Sequence, residues 1–330
     1  MLVGRIYLDG EARGFYPCEH GWFDKRFCKK NPSPVMRGWT RRIFLNSKYK
    51  KFDHHEYVLQ IATKTGKTMR DFILSLIILL SSLASDGSVI SNKSLPDEVQ
   101  PLKLKILSYN VKNCVGLDDV TDYNRVADVL RRINADVVAI QELDSATTRS
   151  KRAVVLNELA ERVNMHASYS ASIDYRGGKY GVGILTRQKP LSATRISLPG
   201  KEEKRSLLIV ELKDFVICCT HLSLTREDRL TSAKLINEAT RKFSKPVFLA
   251  GDLNTTPGSS EMKSLEEEWI VLNNQQENTY PADSPNVCID FILARKAEGW
   301  HAELLDSRVE PENIASDHRP VWVNLILKKK

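Results

Sequence analysis

The chain reads as an α+β protein in which two sheets pack face to face with helices outside. Three observations point there. From Leu102 onward, strand-like runs follow one another with only a few helices between them. The run Pro246 to Ala250 is almost wholly apolar, with β-branched and aromatic members, which is the mark of a buried strand. No repeat and no second linker divides residues 101–330, so they read as one domain. So many adjacent strands do not fit a simple doubly wound sheet.

In order, Leu104 to Val111 alternates as a strand ending at Asn110. Asp122 to Ile133 carries Tyr123, Val126, Val129, Leu130 and Ile133 at helical spacing, capped by Thr121 or Asp122. Asp136 to Ile140 is a buried strand that delivers Gln141 and Glu142, and Lys151 to Val163 is a second amphipathic helix. Strands are expected at Ala167 to Ile173, Tyr180 to Thr186, Leu191 to Leu198, Ser206 to Leu212 and Phe215 to Thr220, with a third helix at Arg226 to Phe243. Gly251 is expected to break the apolar strand at 246–250. Asp252 and Asn254, two residues apart, then fall on one side of the backbone. Cys288 to Ala294 and Val321 to Leu327 close the series.

The N-terminal third reads differently. The formal charge of +8 lies entirely in residues 1–68, which hold 14 Lys+Arg against 6 Asp+Glu, whereas residues 85–330 hold 34 of each sign. The main domain therefore lacks the overall basicity of an electrostatic DNA binder. Residues 1–68 show no sustained period, and Gly66-Lys67-Thr68 is no phosphate-binding loop, because Ile61 stands where the first glycine belongs. Residues 69–84 begin Met69-Arg70, run apolar from Phe72 to Leu80 and end in Ser82-Leu83-Ala84, the pattern of a secretory signal peptide or a hydrophobic anchor. The favoured reading starts translation at Met69, leaves 1–68 outside the mature protein and sends it to the periplasm or the exterior. An uncleaved anchor with its basic side in the cytoplasm, and a buried apolar helix, are the rivals. Residues 85–100 are a polar leader. The six cysteines have no zinc or disulfide spacing, and Cys114, Cys218, Cys219 and Cys288 read as buried thiols.

Polar groups stand at the ends of several strands: Asn110, Glu142, His221, Asp252 with Asn254, and Asp317-His318 ahead of the last strand. Each has an ordinary explanation as a turn residue, a solvated strand end or a satisfied core histidine. Asp290 is harder to set aside. A carboxylate amid Ile289, Phe291, Ile292 and Leu293 is costly unless paired, and a histidine is a natural partner.

Six stretches together carry a resemblance: Ser108-Tyr109-Asn110-Val111, Gln141-Glu142-Leu143-Asp144, Thr220-His221-Leu222-Ser223, Gly251-Asp252-Leu253-Asn254, Ile289-Asp290-Phe291-Ile292 and Ser316-Asp317-His318-Arg319-Pro320. In this order they resemble the endonuclease/exonuclease/phosphatase superfamily over nearly all of residues 102–327. The resemblance implies a four-layer α/β/β/α sandwich and metal-assisted phosphoester hydrolysis. It also implies that Glu142, Asn110 and Asp317 form the metal corner, and that His318 and Asp290 are the histidine–aspartate pair. Asp252 and Asn254 would orient water and hold the phosphate, and His221 would contact it.

The residue types fit that chemistry on their own terms. Carboxylates with few soft ligands suit Mg²⁺, with Mn²⁺ as the alternative, better than zinc. A carboxylate beside His318 fixes its tautomer and raises its proton affinity. A secreted nuclease-like phosphodiesterase is the first expectation, and nucleic acid is favoured over phospholipid or inositol phosphate as substrate. A sphingomyelinase-like or sugar-phosphate esterase is the second. A non-catalytic binding protein of the same fold is third, disfavoured because no essential position is substituted. No obligate protein partner is implied, and a monomer is expected.

Overall fold

The computed structural model describes the backbone of Arg5–Leu8, Glu11–Cys18 and Gly21–Asp24, together with residues 101–329. The chain divides into two compact units, Met1–Lys93 and Ser94–Lys330. In the first unit, β1 (Arg5–Leu8), β2 (Glu11–Cys18) and β3 (Gly21–Asp24) pair antiparallel in that order. The sequence reading found no period there, because two of these strands have only four residues and show too few alternations to register one. The expected signal segment 69–84, the leader 85–100 and Cys28 lie outside the described residues.

The second unit runs β4 (Leu102–Asn110), α1 (Tyr123–Ile133), β5 (Val137–Ser145), α2 (Val155–Val163), β6 (His166–Tyr175), β7 (Gly178–Thr186), β8 (Ser192–Leu198), β9 (Arg205–Glu211) and β10 (Val216–His221). It continues with α3 (Arg226–Thr240), β11 (Val247–Asp252), α4 (Ser260–Glu266), β12 (Trp269–Val271), β13 (Asp290–Arg295), β14 (Trp300–Val309) and β15 (Val321–Lys329). Two six-stranded sheets result, ordered β14-β15-β4-β5-β7-β6 and β12-β13-β11-β10-β9-β8.

Alternation along each strand builds the layers. Ile106, Val137 and Ala139 of the first sheet meet Ile217, Phe248 and Ala250 of the second in the central core. The intervening residues Leu107 and Val138 face outward under α1 and α2, and Leu249 and Leu293 face outward under α3 and α4. Both faces of the central strands are covered, which is why they read as continuous apolar runs. The four-layer α/β/β/α sandwich is present as expected. Asp122 caps α1, its Oδ1 accepting from the backbone N–H of Asn124 and Arg125 at 2.8 and 3.0 Å.

Each sheet contains one parallel pair joined by a helix. In the first, β4 and β5 are linked through α1, with Asn110 beside Gln141. In the second, β10 and β11 are linked through α3, with His221 beside Asp252. A parallel pair puts both carboxyl ends at the same edge, the usual place for a ligand in such sheets.

Three elements of this second unit were not legible in the sequence. The helix α4 is seven residues, β12 is three, and β14 is an edge strand with little buried surface and a bulge between Leu304 and Asp306. Gly251 also differs from expectation. It does not break β11, which continues to Asp252. A Cβ there would lie 2.1 Å from the carbonyl oxygen of Thr220, so the glycine lets β11 lie close against β10. The four cysteines of this unit are buried free thiols, as read.

Candidate active site

Asn110 ends β4 fully buried, and it ties the two sheets together. Its Nδ2 donates to Glu142 Oε1 at 3.0 Å and to Asp252 Oδ2 at 3.1 Å. Its Oδ1 accepts from the backbone N–H of Lys112 at 3.1 Å, and its carbonyl accepts from Ser316 Oγ at 2.7 Å. Asn110 thus spends its amide on protein carboxylates and orients Glu142 within the expected metal corner.

Glu142 sits at an irregularity in the β5–β7 pairing between Ile140 and Leu143, with φ 59°. A non-glycine residue in the left-handed region is strained, and such strain gathers where a side chain must be re-aimed. The bulge turns Glu142 into the cleft. Asp317 lines the same cleft from the loop before β15. Its Oδ2 lies 3.4 Å from Lys112 Nζ, so this corner already attracts a cation. Lys112, Asn113 and Cys114 all have positive φ, a left-handed turn that places the lysine.

On the second sheet, His221 Nε2 lies 3.4 Å from Asp252 Oδ2, both groups buried. Burial pushes the His221 imidazole down to about 4, despite the attraction of Asp252, so it is neutral at neutral pH. Burial also raises Asp252 above the ordinary carboxylate range, and Asp290 adds to this while His221 and His318 oppose it. Asn254 does not follow strand alternation. Its φ is 47°, its backbone N–H donates to Asp252 Oδ1 at 2.9 Å, and its Nδ2 donates to the Leu222 carbonyl at 2.9 Å. An Asx turn, rather than the two-residue period, places Asn254 beside Asp252 in the cleft.

His318 closes the arrangement from the last loop. Its Nδ1 is 2.9 Å from Asp290 Oδ2, which also accepts from Thr279 Oγ1 at 2.6 Å. Its Nε2 is 3.6 Å from Asp252 Oδ2. Burial opposes a charge on the ring, but Asp290, Asp252 and Asp317 overcome it and raise His318 to about 10. The imidazolium donates Nδ1–H to Asp290 and directs Nε2–H into the cleft.

All eight expected residues therefore belong to one constellation. Asn110, Glu142, His221, Asp252, Asp290 and His318 are linked by contacts of 3.6 Å or less, and Asp317 and Asn254 line the same cleft of about 460 Å³. Several contributors carried no sequence signal. Thr279 is an isolated threonine in a loop, and Tyr280 sets its ring centroid 4.7 Å from that of His318. Tyr180 and the group Glu202, Glu203 and Arg205 form the remaining wall. Arg205 is 5% exposed and held by Glu202 at 3.0 Å and Glu203 at 2.8 Å.

Two groups of donors could take a metal. Asp252, Asp290 and His318 offer atoms within 4.8 Å of one another. That trio already shares a proton between His318 and Asp290, and a cation there would have to displace it. Glu142 and Asp317 are hard oxygen donors open to the cleft, with a lysine ammonium already drawn to Asp317, and they suit a hydrated divalent cation better.

A four-layer sandwich whose sheets meet over a buried histidine–aspartate pair and an open acidic corner defines a phosphoesterase scaffold. The profile of the Endonuclease/Exonuclease/phosphatase family matches residues 107–318, and the chain belongs to that family of hydrolytic phosphoesterases. Solved structures share the fold. An endonuclease/exonuclease/phosphatase from Beutenbergia cavernae is 22% identical over 68% of this chain and 72% of its own, at TM-score 0.55. A mannosyl-6-phosphatase of Bacteroides thetaiotaomicron is 17% identical over 67% of this chain and 99% of its own, at 0.54. D. rerio TDP2 complexed with single strand DNA product is 20% identical over 68% and 98%, at 0.54.

Proposed function

We propose that the protein is a metal-dependent phosphodiesterase of nuclease type, hydrolysing a phosphodiester with water to a phosphomonoester and an alcohol. The observation that carries this is His318, clamped by Asp290 at 2.9 Å with its second nitrogen facing Asp252 in a cleft that also holds Glu142 and Asp317. Glu142 and Asp317 would hold Mg²⁺, or Mn²⁺ in its place, and the ion would offset negative charge on the phosphoryl oxygens.

The chain's own residues supply the rest. Asp252, with its raised proton affinity, is placed to orient the attacking water and accept its proton. The imidazolium of His318 donates Nε2–H toward a phosphoryl oxygen, and neutral His221 offers a further donor beside it. Asn110 holds Glu142 and Asp252 in register across the sheets. A second reading is a phosphoester of a hydroxyl-rich alcohol. The carboxylates of Glu202 and Glu203 beside Arg205 on the cleft wall favour it, as does the likeness to a mannosyl-6-phosphatase.

The test is hydrolysis by the purified chain with Mg²⁺, with EDTA, and as His318→Ala. The panel is single- and double-stranded DNA, RNA, sphingomyelin, inositol phosphates and a sugar phosphate. At least one phosphoester is cleaved with Mg²⁺, and both EDTA and the substitution remove the activity. Turnover that survives both sinks the mechanism. Export is part of the same reading, supported by the apolar run at 72–80 and the small residues at 82–84. Sequencing the N-terminus of the exported protein is expected to find it after Ala84, and a cytosolic protein beginning at Met1 would refute it.

A further inference from the structure

Beyond the cleft, two loops carry cations that the chemistry above does not use. The segment after β5 holds Arg149, Lys151 and Arg152, and the tip between β6 and β7 holds Arg176. The loops are stitched together: Thr148 N donates to the Arg176 carbonyl at 3.0 Å, and Arg152 Nη1 donates to the carbonyls of Gly177 at 2.9 Å and Ala146 at 3.1 Å. Beneath them, buried Asp144 takes Arg149 in a two-point clamp at 2.7 and 2.9 Å and accepts from Thr147 at 2.6 Å. Arg149 is thereby neutralised. Lys151, Arg152 and Arg176 are exposed and have no carboxylate within 4.0 Å among the described residues.

The backbone of this platform is strained. Ala146, Lys151, Arg152 and Arg176 all have positive φ, between 44° and 69°, and only Gly177 in the group tolerates that without cost. Each such residue costs on the order of 1 kcal/mol, so four together point to a display held for a purpose.

We propose that Lys151, Arg152 and Arg176 form an anion platform that grips the sugar–phosphate backbone of a nucleic-acid strand away from the bond being cut. This rests on the hydrolase reading and extends it. The position fits. Lys179 pairs with Ser145 and Tyr180 with Asp144 across β5 and β7, and Tyr180 lines the cleft. Ser145 is three residues beyond Glu142, about 10 Å along the strand. Phosphates follow one another at ~3.4 Å of axis along each duplex strand, so the platform would meet one about three nucleotides from the reacting phosphate.

Glu202 and Glu203 also line the cleft and carry one more charge than Arg205 neutralises, so a phosphate backbone is disfavoured along that wall. Recognition would be through phosphate alone. The Tyr175 ring already has the guanidinium carbons of Arg149 and Arg176 at 4.9 and 5.4 Å from its centroid. No large apolar side chain is exposed on either loop, which disfavours a lipid surface.

The test is anisotropy of a fluorescein-labelled single-stranded oligonucleotide with the full chain in EDTA, over about 50 to 200 mM salt. In Lys151→Gln/Arg176→Gln, affinity is expected to fall ~10-fold. The slope of log K against log salt should become shallower by about 1.4, since each phosphate contact on a single strand contributes ~0.7. Lys151→Gln alone, whose side chain makes no hydrogen bond among the described residues, should give half that change in slope. The ratio of kcat/KM for the oligonucleotide over bis(p-nitrophenyl) phosphate should fall about tenfold. An unchanged slope overturns the platform, as does equal loss on both substrates. Loss of binding to phosphatidylserine vesicles without loss on the oligonucleotide overturns the nucleic-acid assignment. A chain that cleaves nothing with any metal fails the hydrolase reading alone, because the salt slope is read without turnover.

Discussion

The first βαβ unit, β4-α1-β5, leaves Glu142 half-buried and turned into the cleft by a bulge, whereas the second, β10-α3-β11, buries both His221 and Asp252. The same topology thus gives two environments. An open corner leaves a carboxylate accessible from the cleft, which suits a cation that keeps several of its waters. A closed corner shifts proton affinities, down for His221 and up for Asp252, which suits moving a proton near neutral pH. Asn110 and His318 each cross the seam, the former from the open unit to Asp252 and the latter from the final loop to Asp290. In the proposed mechanism the chemistry is divided between the sheets and needs both edges in register.

Glu142→Gln is the sharpest way to break that division. It removes one of the two open carboxylates while keeping the shape and the acceptor for Asn110. We expect kcat/KM with Mg²⁺ to fall about 10³-fold, on the order of 4 kcal/mol of transition-state stabilisation. Calorimetry should show Mn²⁺ affinity falling with it. His318 in the variant should titrate as in the parent, because the closed unit is untouched. Full activity with undiminished metal binding would move the metal away from this corner.

Much of this division was legible in the sequence, and the part that was not has a physical cause. Strands such as Val247 to Ala250 are covered on both sides, so every residue is apolar and the run declares itself. Asp290 could be suspected of having a partner because a carboxylate inside such a run is costly alone. The bulge at Glu142 left no mark, since Gln141-Glu142-Leu143 contains no glycine and the left-handed φ is imposed by the surrounding ladder. Thr279 left none either: one hydroxyl in a loop acquires its role only when folding brings it within 2.6 Å of Asp290. Asn110 and Asp252 could be read as strand ends. Glu142, Asn254, Asp317 and His318, placed by a bulge, a turn and a loop, were legible only through the six stretches taken together, and Thr279, outside all six, was not.

Asp290→Asn, on β13 paired with β11 of the closed unit, tests the buried side of the cleft by its proton affinity, with a smaller effect on rate. In the metal-free protein, His318 should titrate by NMR near 10, because burial, which disfavours its charge, is overcome first by Asp290 and then by Asp252 and Asp317. Replacing the Asp290 carboxylate removes the largest of the opposing influences, so the titration should fall toward the ordinary imidazole value of about 6.5. The sign for stability follows from the raised folded value. The ion pair contributes fully below pH about 6.5, and its contribution is lost as pH rises through about 10. The parent should therefore lose thermal stability on going from neutral to strongly alkaline pH, and the variant should lose less over the same range. Activity should fall about 10- to 100-fold, as when a supporting partner of a reacting group is removed. Thr279→Val, which removes one hydrogen bond to the same carboxylate oxygen, leaves Asp290 beside His318 but less well held. It should raise His318 slightly or leave it near 10, and cost only the ~1 kcal/mol of a lost buried hydrogen bond. If Asp290→Asn leaves the His318 titration where it was, the pair is not what charges the ring, and the contrast between the two units loses its closed half.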